Sequence, residues 1–451
     1  MARKGLPGLT AQIKDKLIQQ ALERRLRQTE QADNADAPAP KPSLGLTSTP
    51  EQHYRFHLHP RYQQLRILND GAARLGIENP FFKLHEGIAG ATTQIGGREY
   101  INYASYNYLG LSGHPDIAEA AKRAIDLYGT SCSASRPVSG ERPIHRELEQ
   151  ALASVYDADD AVVFVSGHAT NVTTIGYLFG PNDLILHDEL IHNSALQGAL
   201  LSGARRLSFP HNDWQALDDM LAEHRHHFER VLIVVEGIYS MDGDFPDLPR
   251  FVEIKRKHRV FLMVDEAHSF GVMGRTGLGI REHFGLRGTD VDIWMGTLSK
   301  TLAGCGGYIA GETALIEHLK FLAPGFLYSV GMPPPVAAAC LAALQCMQRE
   351  PARVNLLRER GRYFLAGAKA AGINVGNSEG LAIVPTITGS SIKAARLSAA
   401  LFERGINVQP ILYPAVPEKS ARLRFFVSSE HTETQIASSI AALVALWPDH
   451  Q

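Results

Sequence analysis

Six apolar runs, DDAVVFVSG (159–167), DLILHD (183–188), RVLIVVEG (230–237), VFLMVDEAH (260–268), VDIWMGTLSK (291–300) and GGYIAG (306–311), each end in polar residues or glycine. Amphipathic helical patterns such as PDIAEAAKRAIDLYG share the same stretch of chain. A strand that reads as continuous apolar sequence has to be covered on both faces. The alternation therefore predicts an α/β domain built on a mostly parallel sheet. Ligands of such sheets bind beyond the carboxyl ends of the strands, which directs the search for chemistry to the residues closing each run. After the proline triplet Pro333–Pro335 the pattern turns helix-rich and then carries short strands around LAIVPTITG and ARLRFFVSS, the texture of a smaller α+β domain. The expected organisation is a tail at 1–50, a segment at 51–103 packing on the body, a large domain at 104–335 and a small C-terminal domain at 336–451.

The tail has its own pattern. Its first thirty residues carry seven basic and three acidic side chains, with Leu9, Ile13, Leu17, Ile18, Ala21, Leu22 and Leu26 at helical spacing after a candidate N-cap at Thr10. A proline- and alanine-rich stretch from about 31 to 50 follows, the composition of a flexible linker. A basic amphipathic helix on a tether serves as a capping arm, a docking element or a peripheral membrane contact. In the whole chain, 45 Lys+Arg oppose 47 Asp+Glu, so there is no basic field for nucleic acid. The four cysteines match neither a disulfide framework nor a paired metal motif. No run of eighteen apolar residues exists, and the N-terminus lacks a secretory pattern. A cytoplasmic protein is the expectation.

Three motifs are set aside on physical grounds. VDEAHS (264–269) resembles a helicase box, but a nucleotide-driven motor also needs a phosphate-cradling Gly-Lys loop, and no Gly-Lys dipeptide occurs. GVMGRTGLG (271–279) does not sit between a strand and a helix as a dinucleotide fingerprint must. HDELIH (187–192) spaces its histidines five apart, off the single helical face a zinc pair requires, so no metal site is expected. What remains is a set of residues closing apolar runs: Asp265 and His268, Lys300, and His192. A lysine between an apolar strand and a glycine-rich loop is desolvated, which lowers its pKa and favours a Schiff base with a carbonyl. A carboxylate on a neighbouring strand end keeps a pyridine nitrogen protonated and the ring an electron sink. Lysine with aspartate points to pyridoxal 5'-phosphate.

The motifs ASYNYLGL (104–111), SRPVSGERPIHRELE (135–149), FVSGHATN (164–171), VVEGIYSMDGD (234–244), VDEAHSFG (264–271), GTLSK (296–300), YSVGMPP (328–334) and ARLRFFVSSEHT (421–432) follow one another as in the α-oxoamine synthases. The chain resembles that family over roughly residues 75 to 445. These are pyridoxal phosphate enzymes of fold type I that join an amino acid to an acyl thioester with loss of carbon dioxide. They include serine palmitoyltransferase and 8-amino-7-oxononanoate synthase, with roles in lipid or biotin synthesis. The resemblance implies Lys300 as the Schiff-base lysine and acid/base, Asp265 at the pyridinium nitrogen, His268 at the phenolic oxygen and His192 stacked on the ring. It places the phosphate at Gly167 and His168, where the family usually has an aromatic residue in place of His168, with hydroxyls from Ser240, Thr297 and Ser299. Val330 and Gly331 replace a Thr-Ser pair that reaches the partner subunit's phosphate, leaving Ser329 or backbone amides. Arg424 would grip the substrate carboxylate. Arg422, two residues away, is expected on the opposite strand face as a surface charge. Asn107, Ser135 and His145 are lesser candidates at the amino-acid or acyl site.

The implied reaction is a decarboxylating condensation of serine, alanine or glycine with a thioester of coenzyme A or acyl carrier protein, in a homodimer. Pro137 stands where 5-aminolevulinate synthase has an asparagine for a succinyl carboxylate, favouring a plain fatty or polyketide acyl chain. The alternatives are a thiolytic lyase running such a condensation backwards and a non-catalytic partner subunit of a serine palmitoyltransferase-like complex. The basic helix from Thr10 to Arg27 would suit an acidic carrier protein.

Overall fold

A computed structural model describes residues 49–447, apart from Leu75 and the side chain of Leu68. The basic helix expected at Thr10–Arg27, and nearly all of the linker after it, lie outside these residues. The described chain divides into a unit ending at Lys83 and one beginning at Leu84. The first holds two short turns and the helix Pro60–Arg74, with most side chains exposed. The division falls inside the segment read from sequence as 51–103.

The second unit opens on a hairpin, β1 (Thr92–Ile95) and β2 (Arg98–Asn102), paired from Ile95–Arg98 outward. Its two-residue turn is Gly96-Gly97, both at positive φ (58° and 75°), a conformation a side chain would strain. Seven strands follow in chain order: β3 (Asp160–Phe164), β4 (Leu184–Asp188), β5 (Arg205–Phe209), β6 (Val231–Glu236), β7 (Phe261–Asp265), β8 (Ile293–Thr297) and β9 (Gly307–Gly311). They form one sheet in the order β3-β9-β8-β7-β6-β4-β5, in which only β9 runs antiparallel to its neighbours.

The continuous apolar runs are explained by burial on both faces. Val231, Ile233, Val235, Leu262 and Val264 enter one hydrophobic core, and Leu232, Val234 and Met263 enter another on the opposite face.

The smaller sheet joins β10 (Ile383–Ile387), β12 (Gln409–Ile411) and β13 (Arg422–Phe426), all antiparallel, while the two-residue β11 (Ile406–Asn407) pairs with β2. Tyr103, Phe364, Phe425 and Ile436 belong to a third core. This part is thus assembled from residues near 100 as well as from the C-terminal third. The helix Pro334–Arg349, read from sequence as the start of the small domain, sends Ala337, Cys340, Leu344 and Met347 into the large core instead. Small residues on that face let it lie close to the helix Pro115–Tyr128.

Candidate active site

Four parallel strands present polar groups at their carboxyl ends. β7 closes in Asp265, β6 in Glu236 and β8 in Thr297, with Ser299 and Lys300 just beyond; β4 leads through a short turn to His192, the N-cap of the helix Asn193–Ser202. β3 feeds the helix Gly167–Leu178, whose N-cap Ser166 accepts the Ala169 N–H. A Cβ on Gly167 would stand 2.9 Å from Thr297 Oγ1 and one on Gly307 2.5 Å from Thr170 Oγ1. Glycine at these points lets the helix start press against the ends of β8 and β9, beside Thr297. Thr297 Oγ1 donates to Gly306 O (3.0 Å) and accepts the Ser299 N–H (3.2 Å), fixing the loop that carries Lys300.

Asp265 is buried, with a donor to each of its carboxylate oxygens. Its Oδ2 accepts from Asn171 Nδ2 (2.8 Å) and its Oδ1 from the Ala267 N–H (2.9 Å). Asn171 Nδ2 also donates to Ser194 Oγ (2.9 Å), which lies 2.7 Å from His192 Nδ1. A chain of hydrogen bonds therefore links Asp265 to His192. Because Ser194 Oγ accepts from Asn171, its proton is free for His192 Nδ1, leaving Nε2 as the N–H of the ring. His192 is solvent-accessible, yet desolvation by its surroundings lowers its imidazole pKa, opposed by Asp265 and assisted by Lys300, His168 and Arg424. His168, itself exposed, thus stands near enough to His192 for their charges to interact.

Lys300 has its pKa brought down to about 8, chiefly by burial and also by Arg424, with Asp265 and Glu236 pulling it up. Its Nζ lies 5.7 Å from the centre of the Tyr106 ring. His268 is buried, hydrogen-bonded through Nδ1 to the Tyr108 hydroxyl (2.7 Å) and stacked on Phe426. Burial, with Lys300, Arg424 and His192 nearby, holds it well below the usual histidine range, so it is neutral.

Arg424 of β13 reaches in from the small sheet. Its guanidinium covers the Phe426 ring at 4.4 Å and its Nη1 donates to Ser240 O (3.1 Å). Ser240 meets Arg424 through its carbonyl. Arg422 corrects the expectation made for it. Side chains two apart on a strand share a face, and Arg422 is buried beside Arg424, pairing with Asp242 (2.6 Å) and donating to Met241 O (2.9 Å). Both arginines hold the 240–242 segment.

Four candidates make their hydrogen bonds outside this cluster. The Asn107 amide is used by Ala89 O and the Ser112 N–H. His145 is fully buried between Met332 O and the Arg142 N–H. Ser135 forms a backbone bridge to Val330, and the Ser329 hydroxyl donates to Val330 O. Sequence reasoning missed Glu236, Asn171, Ser194, Tyr106 and Tyr108. Glu236 alone left a signal, a charge closing an apolar run.

The model of the aminotransferase class I and II family matches residues 98–443. The chain belongs to that family, among its α-oxoamine synthases. It is 42% identical over 348 residues to an 8-amino-7-oxononanoate synthase of Symbiobacterium thermophilum, covering 77% of this chain and 88% of the relative. It is 37% identical to a 4-hydroxy-2,2'-bipyrrole-5-methanol synthase of a Serratia strain, covering 77% of this chain and 53% of that one. A solved serine palmitoyltransferase of Sphingomonas wittichii superposes with a TM-score of 0.82 at 28% identity, over 86% of this chain and 98% of its own. As an α-oxoamine synthase the protein is a pyridoxal phosphate-dependent acyltransferase that condenses an amino acid with an acyl thioester and releases carbon dioxide. The residues fit that cofactor: an amine with lowered pKa, a buried carboxylate supplied with donors, and a helix N-terminus where a Cβ on Gly167 would crowd Thr297. Among the described residues no helix is long and apolar enough to cross a membrane.

Proposed function

We propose that the amino acid is serine, alanine or glycine and that Lys300 is the group that takes and returns the proton at its α-carbon. The observation carrying this reading is the Lys300 amine, buried down to a pKa of about 8 in the field of Asp265 and Arg424. An amine poised near neutrality is a competent base. Pyridoxal phosphate, when bound, supplies the electron sink for the carbanion. Asp265 would hold its ring nitrogen, His268 its phenolic oxygen and His192 its face. Gly167, His168, Ser240, Thr297 and Ser299 receive the phosphate, with Ser329 reaching the partner subunit's site. Arg424, whose planar fork matches a carboxylate, would grip that of the amino acid and set its orientation. Asn107 and Ser135 bear on the site through the segments they brace.

The donor is a thioester of coenzyme A or of an acyl carrier protein docked on the basic segment expected to be helical over residues 10–27. Removal of residues 1–50 then raises KM for carrier-bound chains and spares coenzyme A thioesters; equal effects on both exclude the docking role. The presence of Lys300, Asp265 and His268 together speaks against a non-catalytic partner subunit. We place the enzyme in the cytoplasm as a homodimer.

The deciding experiment is the visible spectrum of the purified protein, alone and with glycine, alanine or serine added separately, then with an acyl thioester. A yellow protein whose spectrum responds to one amino acid and again to the thioester identifies the substrate. A protein that stays colourless with added pyridoxal phosphate overturns the proposal.

A further inference from the structure

Tyr108 is fully buried in the large hydrophobic core, so its hydroxyl is out of reach of solvent. Its backbone is pinned on both sides: its N–H donates to Tyr106 O and its carbonyl accepts the Ser429 N–H, both at 2.8 Å. Among the described residues the hydroxyl has one hydrogen-bond partner, His268 Nδ1 at 2.7 Å. A phenol so buried keeps its proton, and a buried O–H without an acceptor is costly. The proton therefore points to Nδ1, which accepts it. The reverse arrangement, with Nδ1 donating to the phenol, would leave the hydroxyl proton with no acceptor.

The His268 imidazole is neutral and so carries a single ring proton. With Nδ1 accepting, that proton sits on Nε2, a nitrogen that makes no hydrogen bond of its own among the described residues. Packing holds the ring plane. It stacks on Phe426, with centres 6.0 Å and planes 10° apart, and Tyr106 and Tyr108 both meet it edge-on. We infer that Tyr108 is a positioning residue for His268, fixing its imidazole as the Nε2–H tautomer, the form that donates a hydrogen bond to a phenolic oxygen. The inference rests on the function proposed above, in which His268 serves that oxygen of the cofactor, and Tyr108 acts through His268.

Tyr108→Phe removes the hydroxyl and keeps the ring, while His268→Leu removes both nitrogens at similar volume. The holoproteins of the parent, each variant and the double variant are titrated with pH by visible absorbance, which reads the proton held by the bound cofactor. A weaker donor at the phenolic oxygen leaves negative charge there less relieved, so that proton is held more tightly. Tyr108→Phe should therefore raise the midpoint by about 0.5–1 pH unit, the equivalent of one hydrogen bond, with unchanged far-ultraviolet circular dichroism. On top of His268→Leu the same substitution should move it by less than about 0.3 unit, because its route is gone. A parental midpoint in Tyr108→Phe overturns the inference. So does an equal shift with and without His268, which makes the effect one of packing. Should Tyr108→Phe not fold, nitrogen NMR of the histidine-labelled parent still decides: the signals lost in His268→Leu should show a proton on Nε2 and none on Nδ1, and the opposite tautomer overturns the inference. A parent protein that binds no pyridoxal phosphate sinks the underlying function instead, and shows this before any variant is made.

Discussion

Lys300 shows how a single side chain acquires chemistry from its surroundings. In water its amine is protonated throughout the physiological range, and here burial brings it to about 8. The apoprotein should therefore take up pyridoxal phosphate covalently at a rate that rises with pH and levels off above about 8, because the free amine is the nucleophile. Stopped-flow absorbance between pH 6 and pH 10 checks this; an inflection near the ordinary lysine value contradicts it. Lys300→Ala should lower turnover by at least the ~10²–10⁴-fold typical of a lost acid/base group. Asp265 and His192 owe their geometry to two uncharged residues, Asn171 and Ser194. Asn171→Ala leaves one Asp265 oxygen without a protein donor. It should cost about 1–3 kcal/mol in thermal or denaturant unfolding and weaken cofactor binding alongside.

At the scale of elements, the segment after β6 is the hinge of the design. Residues 237–247 are held to β13 by Arg424 and Arg422, through Ser240 O, Met241 O and Asp242. They are held to the ends of β4 and β5 by His211, whose Nδ1 meets Asp188 and whose Nε2 meets Asp244, both at 2.9 Å. These two carboxylates raise the His211 pKa to about 10 although burial opposes them. The folded value lies above the unfolded one, so the clamp's contribution is complete below about pH 6.5 and is lost as pH rises through about 10. The melting temperature of His211→Asn should fall furthest below the parent at pH 6 and converge with it near pH 10. A pH-independent difference contradicts the clamp. Arg422→Ala strands the Asp242 carboxylate beside the small sheet. A loss of about 3 kcal/mol, near the lower bound for breaking a buried pair, should appear in denaturant melts, and Arg422→Lys should not restore the two-acceptor geometry.

For the whole molecule, several large apolar side chains remain in water. Tyr328 is 86% exposed and Val138 80%, flanking the Ser135–Val330 bridge, and Phe321 of the helix Thr313–Leu322 is 70% exposed. Apolar surface of this kind marks an interface, in keeping with the proposed homodimer. Light scattering should give twice the chain mass, and Val138→Asp with Tyr328→Asp should shift it towards the monomer. A parent protein that is monomeric and active excludes the arrangement. The α/β class and six of the large sheet's seven strands were legible in the sequence, because a strand buried on both faces leaves an unbroken apolar run whatever its neighbours are; the edge strand β5, RRLSF and mostly exposed, leaves none. Asp265 and Lys300 stood out as candidates, since charge closing such a run is costly without a purpose, and His192 stood out through the resemblance. The order β3-β9-β8-β7-β6-β4-β5 was not legible, and neither was the pairing of residues near 100 with Ile406–Asn407. Both depend on which apolar faces meet across long separations. The helix Pro334–Arg349 misled for the same reason: its small-residue face suits either core, and packing alone assigned it to the large one. Local pattern, set by backbone period and burial, thus determined this protein's class, and the order of its motifs the family that it resembles. Only the tertiary structure decided that Glu236 lies beside Asp265, that Asn171 and Ser194 join Asp265 to His192, and that Arg422 turns inward. Those contacts are made between strands and helices whose adjacency no local pattern encodes.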